Sequence, residues 1–322
     1  MKKRFIHHSL VDNEGLSIQE SDVVVDDKPK VADFRQGKRG LYIGPKKGDG
    51  YGTCAAKSDE YVCCNIKVLK AVTNCPYDCS YCFLQDYLND SMMASVSDTD
   101  ALVSELQDQI KLQPWRFFRV GTWELGDSLA LDKATNQATG LIHSFAKIDQ
   151  AILEFKTKSD QVDMICQAEH VGKTVVSWSL NPAEIIDRYE HQTASLDDRF
   201  QAMQKVLDAG YLVGFHFDPM IYYGDWKQGY RDLVESLFSF VPLDRIAWIS
   251  IGSLRYNRSQ KQKMDQNFPG SDLSSAEMIA GPDGKVRYVK PLRLELYAYF
   301  VDLLRDCFGF SDLSLNSTSL KL

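Results

Sequence analysis

The sequence has no uninterrupted apolar run near the roughly 20 residues that a transmembrane helix needs, so we predict no membrane span. The first ten residues have a basic start but no apolar core, which argues against a secretory signal. Eight cysteines in 322 residues are too few for a disulfide-dense scaffold. Together these absences predict a protein of the reducing cytoplasm.

The sequence also has fewer basic than acidic side chains, with 37 Lys and Arg and 44 Asp and Glu. Its formal net charge is therefore -7. A protein that coats nucleic acid nonspecifically needs many cations at the phosphates, so the composition argues against that function. It leaves room for a local basic groove. A hydrophobic content of 44% supports a sizeable core in one large domain or two small ones.

What the sequence does contain is a group of three cysteines on one short segment, residues 73–84. Cys75, Cys79 and Cys82 have the spacing C-x3-C-x2-C. Three thiolates on a tight loop can hold three irons of a 4Fe-4S cube and leave the fourth iron open to another ligand. We therefore predict that these cysteines bind an iron-sulfur cluster.

Two other interpretations of the cysteines stay open. Cys54, Cys63 or Cys64 could add a fourth thiolate and complete a tetrahedral zinc site. Structural zinc sites usually have two C-x2-C pairs, whereas this segment has one such pair and no second half. Unligated thiols are the second alternative, and ordinary buried thiols are the favoured interpretation of Cys54, Cys63 and Cys64.

After the cysteine segment, strand-like and helix-like stretches alternate. Six short stretches are rich in β-branched and aromatic residues and mostly apolar on both faces, which is typical of a parallel sheet covered by helices. They are residues 66–72, 116–121, 151–157, 174–180, 212–217 and 245–251. Helical stripes follow Ser97, Ser195 and Asp225. Asp100 and Asp198 stand where the acidic partner of a capping box belongs.

Six strand-plus-helix units predict an α/β fold, namely a partial (β/α)6 barrel of the TIM type. A doubly wound open sheet is the alternative. Residues 1–53 are polar and show no clear period, so we predict an irregular N-terminal arm there. The barrel is expected over 54–256, and a C-terminal extension that packs on it, with a last helix opened by Pro291, over 257–322.

In such barrels the chemistry lies at the C-terminal ends of the strands. Beyond the cysteines, each predicted strand delivers at least one polar side chain to this rim. These side chains are Glu124, Asp127, Lys158, Ser179, Asn181, His216, Asp218 and Arg255. Each has a structural explanation of its own, such as a helix cap, a solvated charge or a satisfied core pair. Their convergence nevertheless predicts one ligand pocket.

The cysteine spacing resembles that of the radical S-adenosylmethionine (SAM) superfamily, and a longer series over residues 62–230 resembles the spore photoproduct lyase family within it. The series is N-C-P-Y-D-C-S-Y-C-F-L at 74–84, G-D-S-L-A-L-D at 126–132, T-K-S at 157–159, W-S-L-N-P at 178–182, A-S-L at 194–196 and G-F-H-F-D-P at 214–219. This resemblance implies a radical SAM barrel, a 4Fe-4S cluster, SAM and an electron donor such as flavodoxin or ferredoxin. It also implies repair of a thymine photodimer in DNA.

The resemblance further implies that SAM occupies the open iron and is cleaved to a 5'-deoxyadenosyl radical that abstracts a hydrogen atom. Tyr81 lies where the superfamily has an aromatic residue near the adenine. Lys158 suits the SAM carboxylate, while hydroxyl, amide and carboxylate groups suit its ribose and amino group. The predicted cofactor-binding residues are Lys158, Ser179, Asn181, Asp127 and Asp218.

The sequence departs from the family where a hydrogen donor is expected. In the family, a cysteine after the second strand returns a hydrogen atom to the product radical, and tyrosines assist. Glu124 and Phe83 stand at the matching positions of this chain. A carboxyl O–H bond is far stronger than an S–H bond, so Glu124 cannot act as that thiol does. We therefore interpret the chain as a non-spore branch, with Glu124 and Tyr81 as predicted catalytic residues.

The sequence leaves three predictions open for what the protein acts on. Arg255, Arg287, Lys290 and Arg293 could line a groove for DNA phosphates, which favours a DNA lesion. Hydrogen abstraction from a molecule other than DNA is the first alternative. A non-catalytic protein, in which the cysteines hold zinc or a cluster as a structural or redox centre, is the second.

Overall fold

In the computed structural model, which describes residues 3–11, 19–54 and 65–308, strands and helices alternate along most of the chain. The strands are β1 (Lys3–His7), β2 (Val23–Val25), β3 (Gly40–Gly44), β4 (Tyr51–Thr53), β5 (Lys67–Leu69), β6 (Val72–Thr73), β7 (Asp78–Cys79), β8 (Met93–Val96), β9 (Phe118–Gly121), β10 (Ala151–Thr157), β11 (Thr174–Ser179), β12 (Glu190–His191), β13 (Leu212–Met220), β14 (Ile246–Ser253), β15 (Arg255–Tyr256), β16 (Met278–Ala280) and β17 (Val286–Tyr288). The helices are α1 (Phe34–Gly37), α2 (Leu84–Tyr87), α3 (Thr99–Leu112), α4 (Asp132–Thr135), α5 (Gln137–Phe145), α6 (Ala183–Tyr189), α7 (Leu196–Asp208), α8 (Trp226–Phe238), α9 (Arg258–Asn267) and α10 (Lys290–Phe308).

The largest sheet has the strand order β14-β13-β11-β10-β9-β5-β4. Six of these strands, from β5 to β14, are parallel, and β4 pairs antiparallel with β5 at the edge. The parallel strands follow one another in chain order, whereas a doubly wound sheet would reverse its order partway across. The predicted α/β fold class is confirmed, and the strand order is that of a partial (β/α)6 barrel.

This sheet is curved, because side chains from β11, β13 and β14 all reach one carboxylate on β10. Glu154 on β10 is hydrogen-bonded to Ser177 on β11, His216 on β13 and Trp248 on β14 at 2.8 to 2.9 Å. Neighbouring strands lie about 4.8 Å apart, so a flat sheet would separate β10 from β14 by about 14 Å. We call the side of the sheet that carries Glu154 the inner face.

The predicted irregular arm was wrong for the described part of residues 1–53. There, β1, β2 and β3 join β8 and β6 in a five-stranded sheet of order β2-β1-β3-β8-β6. A small core holds this sheet together: Ile6, Leu10, Leu41, Ile43, Met93 and Leu131. Its apolar residues are few and come from distant parts of the chain, so they leave no period within residues 1–53.

The predicted first strand, residues 66–72, divides between the two sheets. Its first part is β5 in the curved sheet, and its end is β6, which pairs with β8 in the five-stranded sheet. Between them, the N–H of Lys70 donates to the carbonyl of Gly50 at 2.7 Å. The cysteine segment therefore leaves the five-stranded sheet rather than the curved one.

The helix starts agree with the sequence at α7 and α8. Ser195 and Asp198 form the predicted capping box of α7, and Asp225 precedes α8. At α3 the prediction was wrong, because Asp98 rather than Ser97 caps the helix by accepting from the N–H of Ala101 at 2.9 Å. A small sheet of β15, β17 and β16 follows the curved sheet, and α10 closes the described part of the chain. Within that part, we find no helix with the length and apolar character of a membrane span.

Candidate active site

The three cysteines lie on a loop that hydrogen bonds hold at both ends. Asn74 is fully buried, its side chain donates to the carbonyl of Ser91 at 2.6 Å, and its amide oxygen accepts from the N–H of Cys75 at 2.8 Å. At the other end, Cys79 on β7 pairs with Glu190 on β12. Asn74 has a φ of +60°, a conformation that asparagine tolerates better than most residues. The loop is therefore anchored to both neighbouring parts of the fold.

The chemistry of this donor set fits an iron-sulfur cluster. Cys79 is 8% exposed, and Cys75 and Cys82 are half-buried. Burial is the largest cause that raises the pKa of each thiol, to about 12 for Cys79. The charge of Asp127 raises the pKa of Cys75 further, and the other two cysteines contribute in the same direction. Thiolates here need nearby cations, which iron supplies.

The zinc alternative requires the three cysteines and a fourth ligand to surround one metal ion. Among the described residues, no three His, Cys, Asp or Glu side chains are placed to hold a single metal ion. Cys54 lies just after β4, the antiparallel edge strand of the curved sheet. Cys63 and Cys64, the other predicted sources of a fourth thiolate, lie outside the described residues.

Tyr81 and Asn181 meet at a buried carboxylate that the sequence analysis did not single out. The Tyr81 hydroxyl and the Asn181 amide, the latter at 3.1 Å, both donate to Oε1 of Glu190. Arg199, which is fully buried, donates to Oε2 of Glu190 at 2.7 Å. The amide oxygen of Asn181 in turn accepts from the hydroxyl of Tyr230 at 2.9 Å. Both ends of the Asn181 amide are therefore engaged within the protein.

Lys158 lies beside this network and the cysteine loop. Its Nζ is 5.6 Å from the centre of the Tyr81 ring. Burial by itself lowers the pKa of Lys158, but nearby negative charge, chiefly that of Glu190, outweighs burial, and the pKa is raised. Among the described residues, no carboxylate lies within 4 Å of this ammonium. Lys158 is therefore a charged donor available to a ligand.

Asp127 connects the loop after β9 to the end of β10. Its carboxylate accepts from the Thr157 hydroxyl at 2.6 Å and from the Lys158 N–H at 2.7 Å. It also accepts from the N–H groups of Leu129 and Ala130 at 3.0 and 2.9 Å. The bonds to Thr157 and Lys158 connect the loop after β9 to the end of β10, so Asp127 positions this rim of the sheet.

His216 and Asp218 have different partners, although the sequence made them candidates for one core pair. His216 lies 2.8 Å from Glu154, and burial is the main cause that lowers the pKa of His216 to about 4. The Asp218 carboxylate accepts two bonds from Arg255, at 2.9 and 3.2 Å. Burial raises the pKa of Asp218, but the charge of Arg255 outweighs burial and lowers it to about 2. His216 is therefore neutral and Asp218 ionised near pH 7.

Of the remaining predicted residues, two are buried and one is exposed. Glu124 is 9% exposed in the loop after β9, and Ser179 is 4% exposed at the end of β11. The Ser179 carbonyl accepts from Arg199 at 2.9 Å, which connects β11 to the buried Glu190 network. Arg255 is exposed on β15.

Sequence analysis missed the charged residues of the inner face. Glu154 is fully buried and accepts from Arg119, Trp123 and Trp248, as well as from Ser177 and His216; Lys156 follows on the same face. The signal that would have revealed them is the alternation of Glu154, Lys156 and Lys158 at every second position of a strand. Alternate residues of a strand point to one face, so the three charges share it.

Comparison with known proteins relates this site to one family. The family model described as spore photoproduct lyase matches residues 16–292. The chain is 27% identical to the spore photoproduct lyase of Bacillus subtilis (strain 168) over 274 residues, which are 83% of this chain and 78% of that protein. It is 28% identical to that of Geobacillus sp. (strain Y412MC61) over 252 residues, 77% of this chain and 72% of that protein.

Two solved structures have a similar fold. A spore photoproduct lyase double mutant with bound AdoMet and dinucleoside spore photoproduct matches with a TM-score of 0.81 at 20% identity, over 95% of this chain and 96% of that one. A spore photoproduct lyase complexed with dinucleoside spore photoproduct matches with a TM-score of 0.80, at the same identity and coverage. With the family model matching most of its length, the chain belongs to the spore photoproduct lyase family and is a radical SAM enzyme.

Proposed function

We propose that Cys75, Cys79 and Cys82 hold a 4Fe-4S cluster, and that the protein binds SAM beside it to abstract a hydrogen atom from a substrate. The observation that carries this proposal is the group of three neighbouring thiols on an anchored, largely buried loop. Three thiolates are the donors of a cluster with one open iron. When bound, the cluster and SAM supply a 5'-deoxyadenosyl radical at this end of the sheet. The proposal includes a reducing cytoplasm and an electron donor such as flavodoxin or ferredoxin.

In this proposal the protein's own groups bind and orient SAM. The charged ammonium of Lys158 binds the SAM carboxylate. Ser179 and Glu124, both buried at strand ends, bind the ribose or the amino group. Tyr81, which Glu190 orients, packs near the adenine.

We propose positioning roles for the other predicted cofactor residues. Asn181 and Asp127 are engaged by hydrogen bonds within the protein, so they hold the Glu190 network and the Lys158 backbone in place. Asp218 is engaged by Arg255, and it fixes that guanidinium at the rim. A residue of this kind acts through its neighbour rather than through contact with the ligand.

The proposed substrate is a thymine photodimer in DNA. Similar structures hold a dinucleoside spore photoproduct, and this supports a related substrate here. The pairing of β15 with β17 places Arg255 opposite Arg287, so two of the four predicted groove cations are neighbours. Asp218 and Asp283 neutralise part of their charge. Binding to phosphates should therefore be modest.

A second candidate is hydrogen abstraction from a substrate other than DNA, without return of hydrogen from a thiol. The observation that favours it is Glu124, a buried carboxyl at the position where the family resemblance expects the donor cysteine. Deuterium placed in candidate substrates would distinguish the two by its appearance in 5'-deoxyadenosine. Transfer from a thymine photodimer supports the first candidate, and its absence with that substrate supports the second.

Removal of the cluster ligands tests the cofactor proposal. After anaerobic reconstitution, we expect broad visible absorption and formation of 5'-deoxyadenosine from SAM and dithionite. We expect the visible absorption and the formation of 5'-deoxyadenosine to be lost in each of three variants, Cys75→Ala, Cys79→Ala and Cys82→Ala. Two thiolates cannot retain the cluster. The control Cys166→Ala removes a half-buried cysteine from another part of the fold and should keep both. Zinc in anoxically purified wild-type protein, or a colourless reconstituted protein, would refute the proposal.

Binding of an oligonucleotide tests the DNA groove. Arg255→Ala should weaken binding of a lesion-bearing oligonucleotide at low salt and reduce the salt dependence of the binding constant, because one phosphate contact is lost. The matched control is Arg305→Ala, which removes an exposed arginine on α10. Equal affinity and equal salt dependence of both variants would remove Arg255 from the groove.

A further inference from the structure

The inner face holds a second ammonium that the proposed SAM site does not use. Lys156 lies on β10 between Glu154 and Lys158, and its Nζ lies 4.9 Å from the centre of the Trp123 ring. Such a distance is typical of a cation held over an aromatic face. The indole of Trp123 lies over Gly121, where a Cβ would have no room. The ammonium of Lys156 therefore lies against the face of the Trp123 indole.

No acceptor within the described residues binds this ammonium by a hydrogen bond or an ion pair. The two carboxylates whose charges act on Lys156, Asp218 and Glu154, already have other partners. Glu154 accepts from Arg119, Trp123, Ser177, His216 and Trp248 at 2.8 to 3.3 Å. Asp218 accepts two bonds from Arg255. Within the described residues, the three N–H donors of Lys156 therefore have only the face of a ring as a partner.

Lys156 is half-buried, and an ammonium partly removed from water without an anion is less favourable than a paired one, so the site is better satisfied when a ligand brings an anion. Burial lowers the pKa of Lys156, while the charge of Asp218 opposes this effect. Lys158, two residues further along the same face, already has a role at the SAM carboxylate in the proposed function. The next anion on this face must therefore come from another molecule.

We propose that Lys156 binds an anionic oxygen group, phosphate or carboxylate, of the substrate on the inner face, and so determines which substrates the enzyme accepts. This inference rests on the proposed function only in taking Lys158 to be occupied by SAM. It adds a chemical requirement: the substrate carries its negative charge beside the face where hydrogen is abstracted. A phosphodiester of DNA and the carboxylate or phosphate of a small metabolite both meet this requirement.

Binding to the reconstituted holoenzyme with SAM tests the proposal, because it needs no turnover. The probes for equilibrium dialysis are labelled inorganic phosphate, acetate, thymidine 5'-monophosphate and, as the uncharged match, thymidine. We expect Lys156→Met to lower the affinity for the charged probes by about tenfold or more, and that for thymidine by less than about twofold. Lys156→Arg should restore most of the affinity. Lys147→Met, which removes an exposed lysine after α5, should match wild type.

Each outcome of the binding measurements either supports or overturns the inference. Equal phosphate affinity in wild type and Lys156→Met, or no phosphate binding to wild type, overturns the inference. An equal loss for thymidine and its monophosphate also overturns it, because Lys156 would then bind a neutral carbonyl. A preference for nucleotide over phosphate and acetate identifies nucleic acid as the source of the anion, and the reverse identifies a small molecule.

If Lys156→Met unfolds at a clearly lower temperature than wild type, Lys156→Gln replaces it in the same binding measurements. A failure to form 5'-deoxyadenosine affects the proposed function alone, since dialysis measures binding.

Discussion

At the scale of single residues, burial decides which side chains of this protein carry charge. His216 is 5% exposed and Glu154 fully buried, yet the two lie 2.8 Å apart. Burial raises the pKa of Glu154, but the hydrogen bond from His216 and the charge of Arg119 outweigh burial and lower it to about 2. Glu154 therefore stays ionised as the acceptor, while His216 stays neutral.

This arrangement predicts how stability depends on pH. The pKa of His216 falls from 6.5 to about 4 on folding, so the unfolded chain takes up a proton at higher pH than the folded protein does. The stabilising contribution is present above pH 6.5 and is lost as pH falls toward 4, by about 3 kcal/mol in all. Urea unfolding between about pH 7 and pH 4 should show this loss in wild type and a smaller one in His216→Gln.

The control for the pH experiment is His143→Gln, which changes an exposed histidine on α5 and should leave the pH dependence as in wild type. Glutamine at 216 can still donate to Glu154 but does not titrate. If His216→Gln loses stability with pH as steeply as wild type, the burial of a neutral His216 is not the cause.

At the scale of single elements, local patterns describe this chain well. The predicted strand 151–157 coincides with β10, and the capping box of α7 occurs as expected. Gly210 follows α7 with a φ of +92°, which suits glycine because it has no Cβ. These features depend on residues a few positions apart, and such residues are neighbours in any fold.

The α7 cap gives a prediction at this scale. Ser195→Ala removes the oxygen that accepts from the N–H of Asp198 at 3.1 Å, so we expect unfolding to become easier by about 1 kcal/mol. Ser236→Ala, at an exposed position inside α8, should be neutral or slightly stabilising, because alanine has the higher helix propensity. Urea unfolding of both variants measures the difference. Equal stabilities would mean that the cap contributes little.

At the scale of the whole molecule, the five-stranded sheet supports the cysteine loop. β6 pairs with β8, β8 pairs with β3, and the chain passes from β6 into the loop through Asn74. The polar N-terminal region therefore does more than cover the barrel. Its small core determines how firmly the entry to the loop is held.

A large-to-small change in that core tests the connection. Ile43 is 2% exposed, so Ile43→Ala should destabilise the protein by about 2–5 kcal/mol. It should also speed the release of iron from the reconstituted protein to a chelator. Val23→Ala, at an exposed edge position of the same sheet, should change both quantities little. Destabilisation without faster iron release would show that the sheet does not support the loop.

The sequence by itself determined the spacing of the cysteines, most of the parallel strands and the capping box of α7, because each depends on residues that are near neighbours in the chain. Tertiary structure decided the partners of the buried charges. Glu190 meets Tyr81 across 109 positions, and Trp248 meets Glu154 across 94. It also decided the five-stranded sheet, whose strands are short and scattered along the chain. Local pattern is set by residues near in sequence, whereas a buried ion pair needs a partner that only the curvature and order of the strands can bring close.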